Sequence, residues 1–146
     1  GKELVKITRR MFPLSHKKED TFIAGLSMGG YGAIRNGLKY HDTFGYIAGL
    51  SSAMILEKMD TADDSSPTFF EKKTFLESVF GDLSQIHDCE INPEWIAKKL
   101  KEEKAEFPKM YLACGLDDPL LPPNRKFRDA MSELGVNVTY EEGPGA

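Results

Sequence analysis

The segment TFIAGLSMGGYGAIRNG, residues 21–37, constrains this chain more than any other. A short apolar run of strand type passes into a helical run with only a glycine-flanked serine between them. Beyond that serine, Tyr31, Ile34 and Leu38 fall on one helical face. A turn this tight brings the flanking positions into collision, so Gly25 and Gly29 are expected to relieve it by having no Cβ.

The rest of the chain repeats the rhythm. FGYIAGLSSA and PKMYLACG read as buried strands. The turn LDDPLLPP follows, then the helical run NRKFRDAMSELG, with Phe127, Met131 and Leu134 inward and Gly135 as its stop. VNVTYEE reads as a last strand and GPGA as a turn. At the other end, KELVKITRRMF places Leu4, Ile7 and Met11 on one helical face until Pro13 ends it. Strands alternating with helices give the fold class: α/β, a parallel sheet of about four strands flanked by helices.

One segment interrupts that alternation. Between the second and third strands lies an insertion over about residues 54–106. It opens with the polar loop DTADDSSP and continues with two helical runs, TFFEKKTFLESVFG and NPEWIAKKLKEEKAEF. The second has Asn92 as cap and Pro93 at its first position. The insertion leaves from the carboxyl end of a strand, the edge at which open α/β sheets hold their sites. With 146 residues the chain suits one domain and is short for two, so residues 1–146 are expected to form a single domain carrying this cap.

A net charge of -4 and no basic stripe argue against nucleic acid as partner. No apolar run approaches the length that spans a bilayer, and GKELVKITRR lacks a signal-peptide core, so a soluble cytoplasmic protein without membrane partners is expected. Only Cys89 and Cys114 occur, the latter in an apolar run that reads as a buried thiol. They form no ligand cluster with histidine, so neither a metal nor a cofactor is expected.

The chemistry lies in Gly25-Leu26-Ser27-Met28-Gly29, which fits G-x-S-x-G. In a strand–turn–helix context the Ser27 oxygen stands above the sheet at the positive end of a helix. The Met28 N–H is then one donor to a developing oxyanion. An acid that orients a histidine base is sought in the loop after the third strand, where Asp117 and Asp118 are adjacent; one of them merely begins the turn before Pro119.

The base is harder to find. His16 precedes a strand ~17 Å long that ends near Ser27, which sets it at the wrong edge of the sheet. His41 follows a helix that carries it ~20 Å away. His87 belongs to the insertion. The chain order serine, acid, histidine puts the base in the loop leaving the last strand, but that turn, GPGA, holds no histidine, so the base is expected to be absent from this chain unless the insertion folds His87 over the site.

EDTFIAGLSMGGYGAIRNGLKYHDTF, FLESVFGDLS, YLACGLDDPLL and YEEGPGA together resemble the esterase D-like α/β-hydrolases, in the branch of bacterial tributyrin esterases and acetylesterases. The wider family includes S-formylglutathione hydrolases and feruloyl and acetylxylan esterases. The resemblance covers nearly the whole chain. It implies a serine carboxylesterase acting on small-molecule esters of short acyl chains, with Ser27 as nucleophile, Asp118 as acid and Met28 in the oxyanion hole. The resemblance implies Asp118 rather than Asp117, since the family's acid stands three residues after the strand-end glycine, which corresponds to Gly115 here. Phe69, Phe70, Phe75 and Trp95 of the insertion are candidates to line the acyl or alcohol pocket.

The sequence departs from the family's pattern by stopping where the histidine is expected and by lacking the family's first strands. It therefore reads as the carboxyl-terminal half of such an esterase. A remnant of this kind leaves TFIAG as a naked apolar edge, through which a second copy could associate. The rival readings are a feruloyl or acetylxylan esterase acting on plant polysaccharide, an S-formylglutathione hydrolase and, from another class, a non-catalytic α/β module.

Overall fold

The computed structural model describes residues 1–146. Its centre is a four-stranded sheet of β1 (Phe22–Leu26), β2 (Tyr46–Leu50), β3 (Lys109–Gly115) and β4 (Val138–Gly143), paired in chain order and parallel throughout. Parallel neighbours need a crossover each. These are supplied by α2 (Met28–Lys39), by the insertion ending in α5 (Pro93–Glu102), and by α6 (Leu121–Glu133).

The three helices gather on one face of the sheet. Ile34 and Leu38 of α2, Ile96, Ala97 and Leu100 of α5, and Phe127 and Met131 of α6 pack on Ile47, Met110 and Leu112 of the strands. Ile34, Leu38, Leu112 and Met131 are wholly buried; sealing each such side chain stabilises by roughly 1.5–3 kcal/mol. The opposite face carries no helix layer. There Phe22 stacks on Tyr46 with ring centroids 4.6 Å apart, and Phe22 and Leu26 are each 65% exposed. β1 is an edge strand, as anticipated for TFIAG.

The helix α1 (Glu3–Met11) forms as its periodicity predicts, but its apolar residues Leu4, Ile7 and Met11 are exposed. It is tied to the start of β1 by the Arg9 guanidinium, which donates to Thr21 Oγ1 at 2.6 Å.

The insertion differs from its sequence reading in detail. The first helical run breaks into a single 3-10 turn at Phe69–Glu71 and a helix α4 (Lys73–Phe80), ended by Gly81 at φ 79°. A short helix α3 (Leu56–Met59) and a 3-10 segment Leu83–Asp88 also form. Leu56, Met59, Leu76, Leu83 and Ile86 make a small core of their own. The α5 helix, by contrast, belongs to the layer on the sheet. Tyr31 pins the two parts together. Its hydroxyl donates to the Ile91 carbonyl at 2.6 Å, and burial pushes its pKa up to about 12.

At the carboxyl end of β3 the next helix begins at Leu121, three residues before the sequence pattern places it. Pro122 and Pro123 fall in its first turn, where their missing N–H groups cost no intrahelical bond.

Candidate active site

Three turns meet above the carboxyl ends of the strands. The first is the junction of β1 and α2. Ser27 sits there at φ 57°, ψ −120°, a conformation that a side chain rarely adopts. Backbone bonds hold it: Ser27 N–H donates to Leu50 O at 2.9 Å, and Ser27 O accepts from Tyr31 N–H at 3.1 Å and Ala53 N–H at 2.9 Å. Its hydroxyl does not cap the helix and is exposed. Met28 is the first residue of α2, so its N–H has no intrahelical acceptor.

The glycines divide the work differently from the sequence expectation. A Cβ at Gly25 would run into the Gly29 backbone, so Gly25 is required. A Cβ at Gly29 would meet nothing within 4 Å; relief there is not needed, because that position faces open space. The second crowded position is Gly30, whose Cβ would lie 2.5 Å from Ser52 Oγ and 3.1 Å from the carbonyls of Gly25 and Leu50.

The second turn follows β3. Asp118 is held below the usual carboxylate range by the Ser51 hydroxyl and by the Leu120 N–H, which donates to Asp118 Oδ1 at 2.8 Å. Asp117 is exposed, and its N–H donates to Gly145 O at 2.9 Å. Leu116 N–H donates to Gly143 O at 2.8 Å, so the third turn, after β4, lies against the loop that bears both aspartates.

Ser27 and Met28 open onto a cleft of about 910 Å³ walled mainly by the insertion. Phe70, Phe75, Val79 and Phe80 contribute to its apolar surface, and Leu120, two residues beyond Asp118, also lines it. Phe69 lies outside the lining but packs on Phe70 and Phe75, with centroids 5.6 and 4.9 Å away. Trp95 does not reach the cleft: it packs against the main core, under the Lys99 ammonium.

None of the three histidines lines this cleft. His87 Nε2 pairs with Asp60 Oδ1 at 2.6 Å, His41 is half-buried after α2, and His16 is exposed before β1.

Two polar residues around the site escaped the sequence reading. Ser51 follows β2 at φ 40°, and its N–H donates to Ala113 O at 2.8 Å. Asn124 of α6 is 1% exposed and bonds the backbone of Ser52. The available signal was an amide at helical spacing from the inward residues Phe127 and Met131.

The chain is 42% identical over 145 residues to an acetyl esterase of Caldicellulosiruptor saccharolyticus, matching 99% of this chain and 54% of that one. It thus spans about half the length of this curated relative. Among solved structures it is similar to an S-formylglutathione hydrolase of Staphylococcus aureus, with a TM-score of 0.81 and 35% identity over 98% of this chain and 54% of the other. A fluorophosphonate-binding serine hydrolase of the same organism gives a TM-score of 0.83 and 33% identity over 98% of this chain and 53% of the other. The sheet flanked by helices is that of these α/β-hydrolase-like neighbours. The family model described as "Putative esterase" matches residues 1–128, and the chain belongs to that esterase family.

Proposed function

We propose that the protein is a serine carboxylesterase for short-chain acyl esters, with Ser27 as nucleophile, Met28 N–H as an oxyanion donor and Asp118 as the acid. The observation that carries this reading is the strained backbone of Ser27, φ 57° and ψ −120°, on a strand-to-helix turn at the mouth of an apolar cleft. Strain of this kind costs on the order of 1–3 kcal/mol and is kept where geometry serves a function.

In the proposed reaction Ser27 Oγ attacks the ester carbonyl as a histidine takes its proton. The carbonyl oxygen becomes an oxyanion in front of the Met28 N–H, at the positive end of α2. Collapse expels the alcohol, which takes the proton back from the imidazolium. Water then repeats the sequence on the acyl-enzyme and frees the acid and Ser27. Asp118 fixes the imidazole tautomer and faces the imidazolium with a carboxylate already biased toward its charged form by Ser51 and Leu120. His16, His41 and His87 do not line the cleft, which supports a base supplied by another histidine. The resemblance implies a place for it after β4, and the contact of the β4 turn with the acid's loop supports that reading.

Short acyl chains are favoured by the 42% identity to an acetyl esterase. The aromatic wall of Phe70, Phe75 and Phe80 favours a second reading, esters of aromatic acids such as feruloyl groups. A cytoplasmic location belongs to the proposal; two unpaired cysteines support it, and no helix is long and apolar enough to cross a membrane. Full-length Ser27→Ala assayed on p-nitrophenyl acetate tests the assignment. Loss of at least ~10³-fold in kcat is expected, and unchanged turnover would refute it. Comparing p-nitrophenyl acetate with methyl ferulate separates the two substrate readings.

A further inference from the structure

Asn124 stands out among the inward residues of α6. Its neighbours on that face, Phe127 and Met131, are apolar, yet Asn124 is a polar side chain only 1% exposed. Both of its N–H donors and one of its two acceptor positions are used. Oδ1 accepts from Ser52 N–H at 3.3 Å, and Nδ2 donates to Ser52 O at 2.8 Å and to Leu120 O at 2.7 Å. One N–H and two carbonyls around the group fix which end is oxygen.

Both ends of this bracket lead to the proposed site. One residue beyond Ser52, Ala53 N–H donates to the Ser27 carbonyl at 2.9 Å. On the other side, Leu120 carries the N–H that donates to Asp118 Oδ1 at 2.8 Å. A continuous path of two covalent steps and a few hydrogen bonds therefore joins the Ser27 turn to the Asp118 loop, with one side-chain amide at its middle.

We propose that Asn124 is a positioning residue that sets the Asp118 loop in register with the Ser27 turn. This rests on the roles given above to Ser27 and Asp118. An apolar residue of the same volume would fill the space but leave Ser52 N–H unpaired in the interior, while the Ser52 and Leu120 carbonyls would each lose one of two donors and keep the backbone N–H of Met54 at 2.8 Å and of Asn124 at 3.1 Å. An aspartate would keep the acceptor for Ser52 N–H and lose both donors. In either case the tie between the two turns is weakened, and misplacement of reacting groups by about 1 Å costs on the order of 10²-fold in rate. The loss falls on kcat, because Asn124 does not line the cleft where substrate binds.

The test uses the full-length protein with p-nitrophenyl acetate, comparing Asn124→Asp and Asn124→Ala with Met131→Ala, a core truncation on the same helix face. The bracket predicts a fall in kcat of about 10- to 100-fold per folded molecule for both Asn124 variants, with KM within about threefold. Met131→Ala, though thermally weakened, stays within about twofold of the wild-type kcat. Asn124 variants that keep wild-type kcat, or a Met131→Ala that loses as much, would overturn the proposal. If neither Asn124 variant folds, amide exchange in the wild-type protein decides. Ser52 and Ala53 amides protected like those of β2 support the bracket, and exchange at open-loop rates overturns it. Ser27→Ala run in parallel keeps the two ideas apart: an active Ser27→Ala defeats the esterase assignment, whereas an inactive one beside unaffected Asn124 variants defeats the bracket alone.

Discussion

Ala53 N–H donates a 2.9 Å hydrogen bond to the carbonyl of Ser27, so the turn after β2 holds the turn after β1. Ser27 N–H donates in turn to Leu50 O at 2.9 Å. The strained serine is thus gripped by the neighbouring strand on both sides of its own peptide plane. That grip is how a backbone conformation which L-residues avoid persists here.

The glycines around Ser27 should separate cleanly by stability. Gly25→Ala drives a methyl group into the Gly29 backbone and is expected to cost roughly 1–3 kcal/mol. Gly29→Ala meets open space at the start of a helix and is expected to be neutral or to stabilise by up to about 1 kcal/mol. Urea unfolding of the two variants measures both.

The adjacent aspartates should differ by orders of magnitude in catalysis. Asp118→Ala removes the carboxylate that the Leu120 N–H holds in place, and kcat on p-nitrophenyl acetate is expected to fall about 10³- to 10⁴-fold. Asp117→Ala removes only an exposed side chain, since the bond to Gly145 comes from its backbone, and kcat is expected within about threefold of wild type. Equal losses would show that the acid has been misassigned.

Acyl-chain preference should respond to Phe70. Each methylene buried against the cleft wall is worth up to about 0.8 kcal/mol, or roughly fourfold in kcat/KM. Phe70→Ala shortens that wall without opening the core, because Phe70 is 67% exposed. The kcat/KM ratio of p-nitrophenyl butyrate to acetate is expected to drop several-fold while acetate turnover holds.

Acid sensitivity should carry a contribution from Glu142 of β4. Hydrogen bonds from the Arg125 guanidinium hold its pKa at about 2, below the usual carboxylate value near 4.3. A depressed folded-state pKa stabilises the fold above the unfolded value, and that support is lost as pH falls from about 4.3 toward about 2. Glu142→Gln is therefore expected to unfold at lower urea than wild type at pH 7, with the difference closing by pH 2. The pair is partly exposed, so the effect is modest. A difference independent of pH would remove the ion pair from the account.

Much of this arrangement was legible in the residues. The strand–serine–helix junction announced itself through glycine spacing, and each strand was bounded by turn signals close to its observed ends. The insertion was legible as a departure from the alternation. Its internal breaks were not, because Phe69–Glu71 and Leu83–Asp88 are 3-10 segments too short for a period to reveal, the second of them held by Leu83 and Ile86 in a satellite core. Trp95 misled for a related reason: an aromatic on an amphipathic helix fits a pocket wall and a core equally well, and the sheet claimed it. Gly29 fits the motif, yet the collision falls on Gly30, which only the crossing of Ser52 beneath the helix reveals. Ser51 and Asn124 depend on long-range contacts, with Ala113 and Ser52 respectively, which no local pattern encodes.

The most direct measurement is intact-mass and peptide mapping of the full-length protein after treatment with a fluorophosphonate. The account predicts one adduct, on the peptide that contains Ser27, and none on Ser27→Ala. An adduct on another residue, or an unmodified Ser27 in protein that still hydrolyses p-nitrophenyl acetate, would contradict it.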